Sequence, residues 1–164
     1  MGRLRRLTDD DIPRILEIQA AAYAPHLLET GEVFAAKIAA HSPYCLGHED
    51  DDGSLSGYAI ALPMATTSSV GLHETDPRAV TLPGAAPILY VHDMAVDPSA
   101  HARGTGRTML RGLELVGREN GQSVIELVAI ESAVSFWERH GFDPTDDEVF
   151  EGYGPGARKM RRAL

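Results

Sequence analysis

The stretch ILYVHDMAV at 88–96, continued by DPSAHARGTGR to Arg107, constrains the fold more than any other part of the chain. The first nine residues, rich in apolar and β-branched side chains, read as a strand. Asp97-Pro98-Ser99 breaks the run, and a short loop follows with Arg103, Gly104 and Gly106. Met109, Leu110, Leu113 and Val116 then fall at helical spacing. Strand, glycine-bearing loop and helix start together aim free backbone N–H groups and the positive end of a helix dipole at one spot. That arrangement suits an anion such as a pyrophosphate. A lone G-x-G is weak evidence, so the rest of the chain has to support it.

The N-terminal half predicts a short strand at Arg3–Leu7 and an amphipathic helix over about residues 9–22, started at Thr8 and stopped by Pro25. A second helix is expected over Glu29–His41, with Val33, Phe34, Ile38 and the stem of Lys37 on one side. Cys45–Glu49 and Leu55–Leu62 flank the turn Asp50-Asp51-Asp52-Gly53 and read as an antiparallel hairpin. Pro63–Pro87 has no regular pattern and reads either as a substrate-side loop or as a surface linker. After the central unit, Asn120-Gly121 ends a helix over 104–120, and Ser123–Ile130 is a strand. Ser132 starts a short helix that places Ala133, Phe136 and Trp137 on one face. Glu148–Tyr153 and Arg158–Leu164 are expected as two final strands around Gly154-Pro155-Gly156. The order β-α-α-β-β-β-α-β-α-β-β gives an α/β (α+β) domain on one mixed central sheet.

Length and charge narrow the function. At 164 residues the chain is long enough for one domain with a real core. It has 24 acidic against 15 basic residues, a net charge of −9, which disfavours nonspecific nucleic-acid binding and suits a cationic or neutral partner. One cysteine, Cys45, forms no intramolecular disulfide and reads as a buried thiol. The basic run Arg158–Arg162 reads as the solvated side of an edge strand. No Cys/His cluster has zinc spacing, so no metal is expected. Neither a signal peptide nor an apolar run of membrane-spanning length is present, so a cytoplasmic setting without membrane is expected.

Two linked signatures carry a resemblance. Val96-Asp97-Pro98 leads into Arg103-Gly104-Thr105-Gly106, and about thirty residues later comes Ser135-Phe136-Trp137-Glu138-Arg139-His140-Gly141-Phe142. Together they resemble the GNAT superfamily of acetyl-CoA-dependent N-acetyltransferases, over most of the chain. The resemblance implies a central sheet of six to seven strands with about four helices. It implies acetyl-CoA as acyl donor and a small amine as acceptor, joined by direct transfer in a ternary complex. It also allows a homodimer. Met94, Ala95 and Val96 would then offer backbone groups to the pantetheine arm. The loop His101, Ala102, Arg103, Gly104, Thr105, Gly106 and Arg107 would hold the pyrophosphate, with His101 standing where the family usually has Gln or Arg. Trp137 would pack on the cofactor or the core. Tyr23, Phe34, His73 and Glu74 are the acceptor-side candidates.

Amine acetylation needs a deprotonated amine, a stabilised oxyanion and a proton for the leaving thiolate. His92 is the natural base, since an ordinary imidazole titrates near pH 6.5. Regular alternation puts Tyr90, His92 and Met94 on one face of the strand and Asp93 with Val91 on the other, so His92 and Asp93 are expected to serve different cavities. Asp93 is a catalytic candidate or a structural acceptor, and the Met94 N–H is an oxyanion donor. Many family members carry Phe-Tyr in the second signature, where this chain has Phe136-Trp137. An indole N–H donates but does not titrate usefully. Three readings stay open: Tyr153 replaces the acid, water protonates the thiolate, or the protein binds acetyl-CoA without turnover. A non-catalytic acyl-CoA module, a peptide or protein acceptor, and a nucleotide-binding fold are the alternatives. The last lacks a full G-x-G-x-x-G pattern.

Overall fold

A computed structural model describes residues 1–65, 86–149 and 151–164. The expected central strand, β4 (Ile88–Val96), stands fourth in a seven-stranded sheet of order β1-β2-β3-β4-β5-β7-β6. The other strands are β1 (Arg3–Arg6), β2 (Cys45–Glu49), β3 (Leu55–Met64), β5 (Val124–Ala129), β6 (Asp143–Pro144) and β7 (Arg158–Ala163). Only β4 and β5 run parallel; every other neighbouring pair is antiparallel. The helices are α1 (Ile12–Ala22), α2 (Gly31–His41), α3 (Thr105–Glu119) and α4 (Val134–Arg139). The element order is the one read from the sequence, on the mixed α/β architecture expected.

Local chemistry explains most boundaries. Asp11 accepts from the Thr8 backbone N–H at 2.9 Å just ahead of α1. Pro13 sits in the first turn of α1, where its missing donor costs nothing. The Thr30 hydroxyl caps α2 by accepting from the Val33 N–H. Gly104 precedes α3 at φ +77°, a left-handed conformation that favours glycine.

Two expectations fail in the C-terminal third. Glu151–Tyr153 is a 3-10 turn rather than a strand, and the short β6 lies earlier, at Asp143–Pro144. The basic run does not lie on an edge strand either, although Arg158 and Arg161 are exposed. β7 lies between β5 and β6, and Lys159 is buried beside the equally buried Glu126 carboxylate at 3.5 Å. A buried lysine needs such a counter-charge, which composition alone does not reveal.

The sheet is covered on both faces. Leu110 and Leu113 of α3, with Trp137 and Phe142, pack on Ala59, Ala61, Leu89, Val91 and Leu127. On the other face, Ile15 and Ile18 of α1 and Phe34 and Ile38 of α2 pack on Tyr58, Ile60 and Ala95. Each such buried aliphatic side chain contributes about 1.5–3 kcal/mol. Two irregularities in this frame create the site. Pairing of β4 with β5 stops at Val91 and Leu127, although β4 runs on to Val96 and β5 to Ala129, so the two strands splay. The β3–β4 register also shifts: Ile60 pairs with Asp93 but Ala61 pairs with Val91, leaving His92 as an extra residue, a β-bulge.

Candidate active site

Two cavities open at the splay. The larger, about 470 Å³, follows β4 outward along Met94, Ala95 and Val96 to Pro98, His101 and Gly106, with Phe136, Trp137 and Arg139 opposite. The smaller, about 120 Å³, lies on the inner side against Glu29, His92, Asp93, Leu127 and Tyr153. They share Tyr23, Met94, Ile130, Ala133 and Trp137.

The larger cavity fits an acyl-CoA arm. Past Val91 the β4 edge has no β5 partner, so it faces the groove as unused strand edge. At its outer end the first turn of the fifteen-residue α3 presents N–H groups that have no intrahelical partner. The two glycines serve different needs. Gly106 needs room, because a Cβ there would sit 3.3 Å from Cζ of Phe136; Gly104 has open space and needs only its backbone angle. Of the remaining loop residues, Ala102, Arg103 and Arg107 are exposed and Thr105 is buried. The Arg103 guanidinium pairs with Asp50 at 2.9 Å, and the His101 ring contacts the Val96 carbonyl at 3.1 Å.

The bulge overturns the expected alternation. Beyond it Asp93 joins His92 on the α1/α2 face, while Met94 turns to the opposite face and packs with the α3 core. His92 and Asp93 therefore line one cavity instead of two. The Asp93 carboxyl lies 2.8 Å from the Tyr23 hydroxyl oxygen and accepts from Tyr58 at 2.7 Å. It keeps some open surface because it faces the cavity, but the protein around it strips its water, and this desolvation pushes its carboxyl up. Burial raises both phenols well above the ordinary tyrosine value.

His92 has a charged setting. Its Nε2 lies 2.8 Å from Glu29 Oε1 and 2.6 Å from Lys37 Nζ, and Lys37 reaches Glu29 Oε2 at 2.8 Å. All three side chains are at most 4% exposed. Burial alone would raise the Glu29 carboxyl, but His92 and Lys37 outweigh it and hold it at about 2. Nε2 thus faces an acceptor, Glu29, and a donor, Lys37, while Nδ1 has no protein partner among the described residues.

Of the acceptor-side candidates, Tyr23 lines both cavities, whereas Phe34 is a core residue packed edge-on against Tyr58. His73 and Glu74 lie outside the described residues. Tyr153 lines the smaller cavity and Trp137 lines both. Glu29 and Lys37 escaped the sequence reading as site residues. The available signal was Lys37 within the apolar stripe of α2, since a buried ammonium demands an anion. Cys45 is buried, and desolvation pushes its thiol to about 12, in keeping with the structural role read for it.

Comparison with known proteins gives the geometry a context. No curated protein matches the chain by sequence. Among solved structures, the ribosomal-protein-S18-alanine N-acetyltransferase of Escherichia coli is 18% identical, with TM-score 0.67 over 99% of this chain and 94% of that one. The PaiA N-acetyltransferase of Thermoplasma acidophilum, solved with coenzyme A, is 14% identical, with TM-score 0.71 over 100% and 99%. GphF, a GNAT-like decarboxylase solved with isobutyryl-CoA, is 16% identical, with TM-score 0.77 over 98% of each chain. These likenesses establish a shared fold. The family model described as Acetyltransferase (GNAT) family matches residues 12–142, and the chain belongs to that family.

Proposed function

We propose that the protein is an N-acetyltransferase that moves the acetyl group of acetyl-CoA directly onto the amine of a small molecule, with both substrates bound at once. The observation that carries this reading is the meeting of a long groove and a small acid-lined cavity at the β4–β5 splay. The groove takes the CoA arm, with Met94, Ala95 and Val96 along it and the first turn of α3 at the phosphate end. The smaller cavity takes the amine. At about 120 Å³ it favours a small acceptor, and the net charge of −9 favours a cationic one.

In this reading His92 takes the amine proton, while the Glu29 carboxylate 2.8 Å from Nε2 stabilises the imidazolium that forms. Lys37 keeps Glu29 ionised. The Met94 N–H stabilises the oxyanion. Thiol release from acetyl-CoA, measured against polyamines, arylalkylamines, amino acids and peptide N-termini, tests the reading. The expected result is turnover with small amines. Background release with every acceptor would sink it. Peptides belong in the panel because a fold neighbour acetylates the alanine of a ribosomal protein.

Trp137 favours one second reading, an acyl-CoA-binding module without turnover. Tight acetyl-CoA binding in calorimetry, with background thiol release unaltered by His92→Ala, would select it.

A further inference from the structure

The thiolate that leaves in this reaction needs a proton, and Trp137 does not provide one. Its indole N–H is a hydrogen-bond donor that does not ionise at working pH. The departing sulfur has to lie where the donor groove meets the acceptor cavity. Five residues line both: Tyr23, Met94, Ile130, Ala133 and Trp137. Only Tyr23 among them carries a hydroxyl. Tyr153 lines the acceptor cavity but not the groove.

The surroundings of Tyr23 show how it is kept charged with a proton. Its oxygen lies 2.8 Å from Asp93 Oδ1 and 2.8 Å from the Met94 carbonyl oxygen. A phenol has one proton, and a carbonyl has none to give. When the phenol donates to Met94, the contact with Asp93 is satisfied only by a proton on the carboxyl. The other Asp93 oxygen accepts from Tyr58 at 2.7 Å. Desolvation pushes the Asp93 carboxyl up, in the direction of that state.

We propose that Tyr23 is the acid that protonates the departing thiolate, with Asp93 behind it as the source of the replacement proton. The assignment rests on the amine acetyltransferase reading above. As the tetrahedral adduct collapses, the C–S bond breaks and its electron pair goes to sulfur. The Tyr23 hydroxyl proton moves to that sulfur, and the Asp93 proton moves to the Tyr23 oxygen. No buried tyrosinate forms. Asp93 is left as a carboxylate, accepting from both Tyr23 and Tyr58. The amine, which enters the step neutral after giving its ammonium proton to solvent, has meanwhile lost one proton to His92. Solvent carries one away from the imidazolium and restores one to Asp93 after the products leave, so sulfur gains what nitrogen loses. Tyr23 is thus a catalytic residue and Asp93 a positioning and proton-holding one.

The test compares two acyl donors on the full-length protein with its best amine. Acetyl-CoA needs its sulfur protonated. The selenoester analogue of acetyl-CoA releases a selenolate, which leaves as an anion. Tyr23→Phe is expected to lower kcat with acetyl-CoA by roughly 100-fold, with the selenoester loss below about tenfold. CoA affinity by calorimetry should stay close to wild type. Asp93→Asn, which keeps hydrogen bonds to both tyrosines but has no acidic proton, should show the same donor-dependent pattern and guards against a folding defect in Tyr23→Phe. Equal losses with both donors, or full activity of Tyr23→Phe with acetyl-CoA, overturns the proposal. Donor-dependent loss in Tyr153→Phe but not in Tyr23→Phe assigns the acid to Tyr153 and overturns it too. Wild-type protein that acetylates no amine removes the function reading and this acid together.

Discussion

Lys37→Met tests the buried charge cluster on which the His92 setting depends. The replacement keeps a long side chain in α2 but removes the ammonium 2.8 Å from Glu29. Breaking a buried ion pair from one side costs about 3–5 kcal/mol, because the remaining charge stays desolvated. A second route gives a similar size. Glu29 titrates at about 2 in the fold against an ordinary 4.5, and a unit is worth about 1.4 kcal/mol, so the favourable surroundings of its charge amount to about 3 kcal/mol. His92 still faces the carboxylate in the variant, which places the expected loss at the lower end, about 3 kcal/mol at pH 7. For a chain of this length that corresponds to a fall in Tm of about 6–12 °C. The pH dependence has a definite sign. The Glu29 pKa is depressed in the fold, so its contribution is complete above about pH 4.5 and is lost as pH falls towards 2. The gap between wild type and variant therefore narrows at pH 3. Urea unfolding at both pH values measures this, and Glu29→Gln combined with Lys37→Met should recover about 1–3 kcal/mol of the loss. A single variant within about 1 kcal/mol of wild type at pH 7, or a double variant equal to the sum of the singles, refutes the cluster as a coupled unit.

Gly106→Ala would bring a Cβ to 3.3 Å from Phe136 and narrow the CoA groove; CoA affinity is expected to fall about tenfold, roughly 1.4 kcal/mol, with little change in Tm. Arg103→Ala should change CoA affinity by less than about threefold and stability by no more than about 1 kcal/mol, since the exposed guanidinium pairs with Asp50. A larger loss of CoA binding would show that the side chain leaves Asp50 to reach the phosphates. Cys45 is expected to resist iodoacetamide in the native protein at pH 8 and to react fully in urea, because its buried thiol sits at about 12. Rapid native alkylation, read by mass spectrometry, would contradict that burial.

What the sequence revealed was what local chemistry writes into it. The strand–loop–helix unit at 88–119 depends on side-chain periodicity and on glycines whose reasons are local, and it forms where expected. The Thr8 start was likewise readable, as was the Asp50–Gly53 turn. Glu148–Tyr153 was not, because apolar spacing over six residues fits a strand and a packed turn equally well. The partners of buried charges were invisible for another reason. Glu29 and Lys37 are eight residues apart, but His92 lies 63 residues from Glu29, and Glu126 meets Lys159 across two strands. Composition gives the charges and not the pairing.

The bulge at His92 shows where such information hides. Adjacent polar residues in an otherwise apolar strand pose a conflict under strict alternation. One of His92 and Asp93 would have to enter the apolar core under α3, where Val91, Leu110 and Leu113 pack, and an unpartnered polar group there costs several kcal/mol. One extra residue in the ladder resolves the conflict by turning both towards the α1/α2 face, where Glu29, Lys37, Tyr23 and Tyr58 satisfy them. The same shift turns Met94 to the opposite face, just where β4 and β5 part. A defect that relieves local polar strain thereby sets His92, Asp93 and the groove around one point. The dipeptide His92-Asp93 was the visible trace of it, and its meaning depended on the register of β3 beside it.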